Sequence, residues 1–465
     1  MAKRDLILNV RLDKVLMVLA FYLPFEPFLL KWVPESLYVF ARFAPEVLIY
    51  GMCGLALVQA VRSKAIWKRT PADTPFVFLL LILFFSVLIN AVPAFQALLG
   101  IRQTLRFILL FFLTVQLSPS RNWTRVLLFG LAIIVGIQLL IGTAQSLSQG
   151  ALDPFLLPAE RHTLGEITLT AGTNQFWDPG QRIFGTMGRY DQLGTLLAFF
   201  MIIGLAFVYE KESIPKKYRL FIASVLMFSL PVLAFTYSRS AWFGFLIGFL
   251  FVAVYMRRDR RVLVGSIVVF SFLGIYLIAS HSDVKGLADA PDQTLAHRFL
   301  ESFSARRFQG EYYGLGRVYW LTQTLETVVP YAPFFGVGPG RYGGGAVSAL
   351  GDKTVYEALG LPFGVYGSDG YIDNNWLSLW GETGTLGLIA YLAMYLAIFL
   401  ACVRVARSSA DPETRALALG VAGAMLAVMV NALLATALEF RTLAPYMWLL
   451  AGIVVARDPR LLRSS

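Results

Sequence analysis

Apolar residues run along this chain in long unbroken stretches, and the polar residues between them gather into short clusters and two longer segments. A run such as Phe76-Val77-Phe78-Leu79-Leu80-Leu81-Ile82-Leu83 shows no period-two alternation, which argues against an outer-membrane β-barrel. Runs of this kind, each near the ~20 residues that a bilayer asks of a helix, predict about twelve spans. They fall near 14–31, 43–60, 75–92, 96–117, 126–146, 191–209, 220–237, 241–256, 262–280, 384–403, 416–436 and 443–456. The expected fold class is therefore an all-α polytopic membrane protein.

Two polar stretches interrupt the pattern. The shorter, 147–190, joins the fifth and sixth spans and is dense in turn signals such as Asp178-Pro179-Gly180. The longer, 281–375, is rich in glycine and aromatics. It divides the chain into residues 1–280 with nine spans, the loop itself, and residues 376–465 with three. A connector this long is either functional or disordered. Its content of Tyr312, Tyr313, Trp320 and similar residues argues for order, so a large and partly helical loop is expected.

Composition agrees with the span pattern: 57% of residues are hydrophobic and 15% charged, and the mean hydropathy is +0.64. The net charge of +11 reads as topology and not as nucleic-acid affinity, because Lys and Arg gather at span ends. With the N-terminus in the cytoplasm, most of the 40 basic residues fall inside, most clearly Arg257-Arg258-Asp259-Arg260-Arg261 and Lys216-Lys217-Tyr218-Arg219. Both termini are then cytoplasmic and both polar stretches face outward. The first span lacks a cleavage site and is expected to be retained. Cys53 and Cys402 lie in apolar runs as small core residues. His162, His281 and His297 are scattered, so no metal site is expected. Gly336-x-Gly338-x-Gly340 lacks the strand and helix of a nucleotide fingerprint, and no Walker motif occurs. Absence of internal symmetry and few charges within the spans count against a transporter or flippase.

Candidate chemistry lies where outward segments meet the membrane. Arg182 and Arg189 precede the sixth span, Arg239 occupies the turn Thr236-Tyr237-Ser238-Arg239-Ser240, and Arg317 lies in the long loop. An arginine at such depth is costly without an anionic partner. Its fork suits a phosphate, such as that of a lipid-linked pyrophosphate. Most arginines near span ends merely snorkel to headgroups, and Arg441 is assigned that role of lipid anchor. Arg239 differs, since it sits in an outward turn of almost no length, where the charge bias opposes a gratuitous arginine. The carboxylate candidates are Asp191, Glu311, Asp369, Asp373 and Glu382. Asp373 stands where the loop re-enters the membrane and is either a general base or a helix cap; both roles are filled if Asn374 or Asn375 caps. Glu382 is expected to be structural or positioning. Tyr312, Tyr313, Trp320 and Trp376 are candidates for stacking on sugar rings, although such aromatics more often serve core or interface.

These pieces, in this order, resemble the O-antigen ligase and polymerase superfamily of Wzy_C-type glycan polymerases and ligases. The likeness runs from about 180 to 390. It is carried by Arg182-x-x-Gly185-Thr186 with Asp191-x-x-Gly194, by Thr236-x-Ser238-Arg239-Ser240, and by Pro333-x-x-Gly336-x-Gly338-x-Gly340. Asp373-Asn374-Asn375-Trp376-Leu377 and Glu382-Thr383-Gly384-x-x-Gly387-Leu388 complete it. The resemblance implies an undecaprenyl-pyrophosphate-linked glycan donor at the outer face of a bacterial inner membrane, with no nucleotide sugar, no cofactor and, in the ligases, no metal. It implies that Arg239 and Arg317 hold the pyrophosphate and that Asp373 activates the acceptor. Arg182, Arg189, Asp191, Glu311, Tyr312, Asn374 and Trp376 are the expected substrate contacts. Ligases of the family carry His immediately before the Asn of the return motif, where this chain has Asp373. That departure favours a polymerase of lipid-linked repeat units over a ligase to lipid A core or protein. A chain-length regulator is a possible partner for such an enzyme; nucleic acid is not expected.

Overall fold

A computed structural model describes residues 2–63, 68–158, 162–165, 167–170, 178–288, 290, 293–367 and 369–458. Residues 171–177 of the shorter polar stretch, with Arg460 and Arg463, lie outside them. Among the described residues eight helices are long and apolar enough to cross a membrane, or nine if the pair Ala94–Leu105 and Ile108–Leu117 makes one span. Asp73–Ile89 and Ala444–Val455 are shorter apolar helices. The expected count of about twelve is not confirmed: 75–92 and 443–456 correspond to the two shorter helices, and two further segments are interrupted. The segment 14–31 does not form one rod. The helix Ala2–Tyr22 gives way to a 3-10 turn at Leu23–Phe25 and a short helix Glu26–Leu30, where Pro24 and Pro27 remove ladder donors. The segment 96–117 bends by 56° between its two helices.

Tyr190–Tyr209, Arg239–Leu250, Asn375–Ser408 and Pro412–Asn431 pack as the centre of the bundle. Small residues make this possible: Ala416, Ala418, Gly420, Ala422, Gly423 and Ala424 of the Pro412–Asn431 helix are all buried and let backbones approach closely. Arg260–Ala279, by contrast, has no buried residue and lies at the periphery. Basic residues assigned by the charge pattern to one side meet carboxylates at one end of the bundle. Arg257 and Arg415 reach Glu210 at 2.6 and 3.2 Å, Arg125 reaches Glu413 at 2.8 Å, and Arg404 reaches Asp458 at 3.1 Å.

Buried charge is nevertheless present in the bundle. Glu26 and Glu46 are buried and draw in four arginines. Arg441 pairs with both, Arg42 approaches Glu26 at 3.6 Å, Arg106 approaches Glu46 at 3.2 Å, and Arg102 closes a two-pronged contact on Glu46. Arg441 is therefore no lipid anchor. Its fork is spent on two carboxylates about four hundred residues away in sequence, a distance over which no local pattern reports.

The stretch 281–375 folds into short helices, among them Leu295–Leu300, Ala305–Tyr313, Arg317–Gln323, Gly345–Leu350 and Thr354–Ala358. They enclose an apolar cluster of their own that includes Trp320, Val337, Tyr342, Tyr356 and Ile372. Its glycine turn is keyed into the membrane helix that follows. Val337 and Gly338 donate backbone N–H to the carbonyls of Gly381 and Glu382 at 2.8 and 3.1 Å, and Gly340 donates to the Glu382 carboxylate at 2.9 Å. Gly336 and Gly384 both hold φ of +68°, and a Cβ on either would come within 2.4 Å of the opposing backbone. Glycine alone fits both demands. Gly384 also breaks the Asn375–Ser408 helix in its upper part. Glu382 is thereby structural, as expected. An antiparallel hairpin, His162–Leu164 with Ile167–Thr170, is the one sheet among the described residues.

Candidate functional site

Arg239 begins the helix Arg239–Leu250 immediately after a turn in which Tyr237 takes a φ of +55°. Such a conformation in a bulky residue persists only where its surroundings hold it. Thr236 Oγ1 donates to the Leu233 carbonyl at 2.7 Å, and the Trp242 indole donates to the same carbonyl at 2.9 Å. Arg298 Nε donates to the Tyr237 carbonyl at 3.5 Å. Gly194 lets the turn dock: a Cβ there would meet Ala241 at 2.9 Å and Thr236 at 3.0 Å. The arginine thus starts from a fixed base.

From it runs a chain of alternating charge. Arg239 meets the fully buried Glu301 at 3.1 Å; Arg298 and Arg307 meet the same carboxylate at 3.2 and 3.1 Å. Arg307 also pairs with Glu311, one helical turn on. Glu311 accepts the backbone N–H of Arg317 at 2.9 Å, and the Arg317 guanidinium reaches Asp373 at 3.2 Å. Four guanidiniums face three carboxylates, leaving a surplus of positive charge. Enclosure pushes the Glu311 carboxyl up, but Arg317 and Arg307 beside it prevail and hold it below the ordinary range. The Arg317–Asp373 end is open, with about a third of each side chain exposed (34% and 31%).

Arg182 and Arg189 approach from the other polar stretch. Arg182 is buried with its guanidinium 4.7 Å from the Tyr190 ring centre. Arg189 grips Asp191 with two bonds of 3.1 and 3.0 Å, and that carboxylate raises its pKa. Asp373 and Tyr371 lie within electrostatic reach of Arg189, which puts this pair beside the Asp373 end of the chain. Asp369 is close to Asp373, and burial raises its carboxyl.

The geometry therefore brings together Arg239, Arg317, Asp373, Glu311, Arg189 and Asp191, with Arg182 behind the turn. Two of the expected contacts, Asn374 and Trp376, and the stacking candidate Trp320 have side chains engaged within the fold. Asn374 is a helix cap: its Oδ1 accepts from the N–H groups of Trp376 and Leu377 at 2.9 and 3.0 Å, and its Nδ2 donates to the Leu433 carbonyl at 2.9 Å. Trp376 is buried, set edgewise against Tyr391 and Tyr395, and its indole donates to the Met429 carbonyl at 3.1 Å. Trp320 is wholly buried between Tyr342 and Tyr356. Neither tryptophan presents a face to a sugar. Tyr312 and Tyr313 do remain exposed, at 37% and 81%.

Sequence reasoning missed Glu301, Arg298 and Arg307, which join the two named arginines. The signal was available: Arg298 and Glu301 are three apart, and Arg307 and Glu311 four apart, the spacings at which side chains meet on a helix. Among the described residues no group of three or more His, Cys, Asp or Glu is arranged to hold a metal ion.

Residues 222–392 match the family model described as Wzy_C, O-Antigen ligase. The match takes in the Arg239 turn, the whole ion chain, the glycine turn and the first half of the return helix, so the likeness to the O-antigen ligase and polymerase superfamily holds over 222–392, while Arg182, Arg189 and Asp191 lie outside the matched residues. No curated protein matches the chain.

Proposed function

We propose that this protein, in which the O-antigen ligase family domain surrounds the arginine chain, is a membrane glycosyltransferase that polymerises undecaprenyl-pyrophosphate-linked repeat units of a surface polysaccharide. The observation that carries the reading is the ion chain from Arg239 to Asp373: fixed at a buried carboxylate, positively charged in sum, and open at one end. A pyrophosphate entering there replaces carboxylate partners with phosphate oxygens at guanidiniums already oriented to receive them. Arg239 and Arg317, with Arg189, stabilise the charge that develops on the leaving pyrophosphate. Asp373, next to Arg317, takes the proton of the attacking acceptor hydroxyl. The new glycosidic bond forms as the bond from the sugar to pyrophosphate breaks. Tyr312 and Tyr313, exposed next to Glu311 in the chain, stack on the glycan in this reading.

In this reading the protein sits in a bacterial inner membrane with both termini cytoplasmic and 281–375 on the outer side. An impermeant thiol reagent tests that placement on a Glu357→Cys variant: labelling in intact spheroplasts supports it, and labelling only after permeabilisation overturns it. The name of the matching family favours a second reading, a ligase that passes a finished glycan to lipid A core or protein. Lipid-linked glycans accumulating in a deletion strain separate the two. Single repeat units on the carrier support a polymerase, and full-length polymer on the carrier supports a ligase.

A further inference from the structure

Asp373 acts only if the segment that carries it is held still, and the structure shows what holds it. Asn375 N–H donates to the Ala432 carbonyl at 2.9 Å, Asn374 Nδ2 to the Leu433 carbonyl, and Leu438 N–H to Asn375 Oδ1 at 2.9 Å. Residues 371–375 thus lie on a bed formed by 432–439. On their other side Ile372 N–H donates to the Gly343 carbonyl at 2.9 Å. Glu439 ends the bed and ties both sides together. Its carboxylate accepts from Asn375 Nδ2 at 3.1 Å, from Gln103 Nε2 at 3.3 Å and from Gly345 N–H at 3.3 Å. Its own carbonyl accepts from Arg106 of the buried arginine cluster at 2.7 Å.

We propose that Glu439 is a positioning residue: its carboxylate fixes the 371–375 segment between the 343–346 turn and the 432–439 bed, and so sets Asp373 against Arg317. The role rests on the function proposed above. All three groups facing the carboxylate donate, two to Oε1 and the Gly345 N–H to Oε2, so the ionised form suits them best; protonation of either oxygen turns an O–H toward a donor. The charged and titratable groups around it are Arg106, Glu382 on the return helix, and the phenols Tyr371 and Tyr391. Burial outweighs Arg106 and raises its pKa from 4.5 to about 7. The folded state therefore prefers the neutral form. Its contribution to stability is full below the ordinary carboxylate value and is lost as the pH rises through about 7. The contribution to transfer has the opposite sign, because the ionised form does the positioning. A purely structural glutamate gives the first dependence without the second.

The test compares wild type, Glu439→Gln and Asn375→Ala in outward-facing membrane vesicles that carry the native lipid-linked glycan. Wild-type transfer is expected to rise between about pH 6 and pH 8. Hydrogen exchange of residues 372–378, corrected for its intrinsic pH dependence, is expected to slow over the same range. Glu439→Gln loses on the order of 10²-fold in rate at the upper pH, the scale of a misplaced catalytic group. It also loses the pH rise, exchanges fast throughout, and binds undecaprenyl pyrophosphate as wild type does. Asn375→Ala, which leaves Glu439 in place, gives the same four results. A Glu439→Gln protein with wild-type rate and pH rise overturns the proposal, as does a slow one whose 372–378 exchange is unchanged. If the wild type transfers no glycan, the functional reading fails, and the exchange measurement still decides whether Glu439 holds the segment.

Discussion

Two clusters of four arginines lie in this molecule, and they are built differently. Arg42, Arg102, Arg106 and Arg441 converge on Glu26 and Glu46, and Glu46 alone receives three of them. Arg239, Arg298, Arg307 and Arg317 are strung along Glu301, Glu311 and Asp373 instead, from a fully buried carboxylate to an open pair. Convergence closes a cluster at its carboxylates: Glu26 and Glu46 are 1% and 4% exposed, against 31% for Asp373. A linear chain keeps one end free, so that an anion from solvent would first meet an exposed pair. An arginine near the membrane interface therefore signals ligand binding through the exposure of its partner, and not through its own charge.

The sharpest way to break the comparison is to remove one arginine from each cluster. Arg441→Ala leaves two buried carboxylates short of a partner, which typically costs about 3–5 kcal/mol. The expected outcome is little folded protein in the membrane, read by fluorescence-detected gel filtration in detergent. Arg239→Ala and Arg317→Ala are expected to insert and fold but to lose glycan transfer by several hundredfold or more, the ~3–4 kcal/mol that a preorganised contact to developing charge provides. A well-folded Arg441→Ala protein without transfer would put both clusters in the chemistry. Normal polymer from Arg239→Ala would make both structural.

A finer cut lies within the open chain. Asp373→Asn keeps the shape of the side chain and removes its basicity. Loss of transfer by ~10²-fold is expected, at the low end for general-base assistance because the carboxylate shares its lone pairs with Arg317. Undecaprenyl pyrophosphate binding is expected to persist. Transfer at the normal rate would hand the proton to another group, with Glu311 and Asp369 next in line.

What could be read from the sequence follows from how local each feature is. Arg239 was legible because its turn is short and sits at a span boundary, and the glycine turn because 333–340 and 382–388 each carry their own pattern. The pairs Arg298–Glu301 and Arg307–Glu311 were legible in spacing and were overlooked. Arg441 was misassigned because Glu26 and Glu46 lie at the far end of the chain. The bend at Arg106-Phe107 was hidden for another reason: hydropathy counts apolar content, which is the same in a straight span and a folded one. Trp320 and Trp376 look alike in sequence to an exposed sugar platform, since composition does not say which face is covered.

The smallest effect is expected next to the site, at Asn374. It directly follows Asp373 in the chain, yet its side chain is taken up in capping the return helix and in the bond to Leu433. Asn374→Ser retains an oxygen for the helix N–H groups and gives up only the Leu433 bond. Asn374→Ala gives up both, and a lost cap costs typically ~1 kcal/mol. A residue that only caps predicts graded stability, wild type above Ser above Ala, with transfer per folded molecule nearly constant across the three. A residue that touches substrate predicts the reverse, a stable Asn374→Ser protein with transfer already lost. Thermal unfolding in detergent beside polymer yield separates these patterns. The second would extend the open end of the arginine chain by one residue into the return helix.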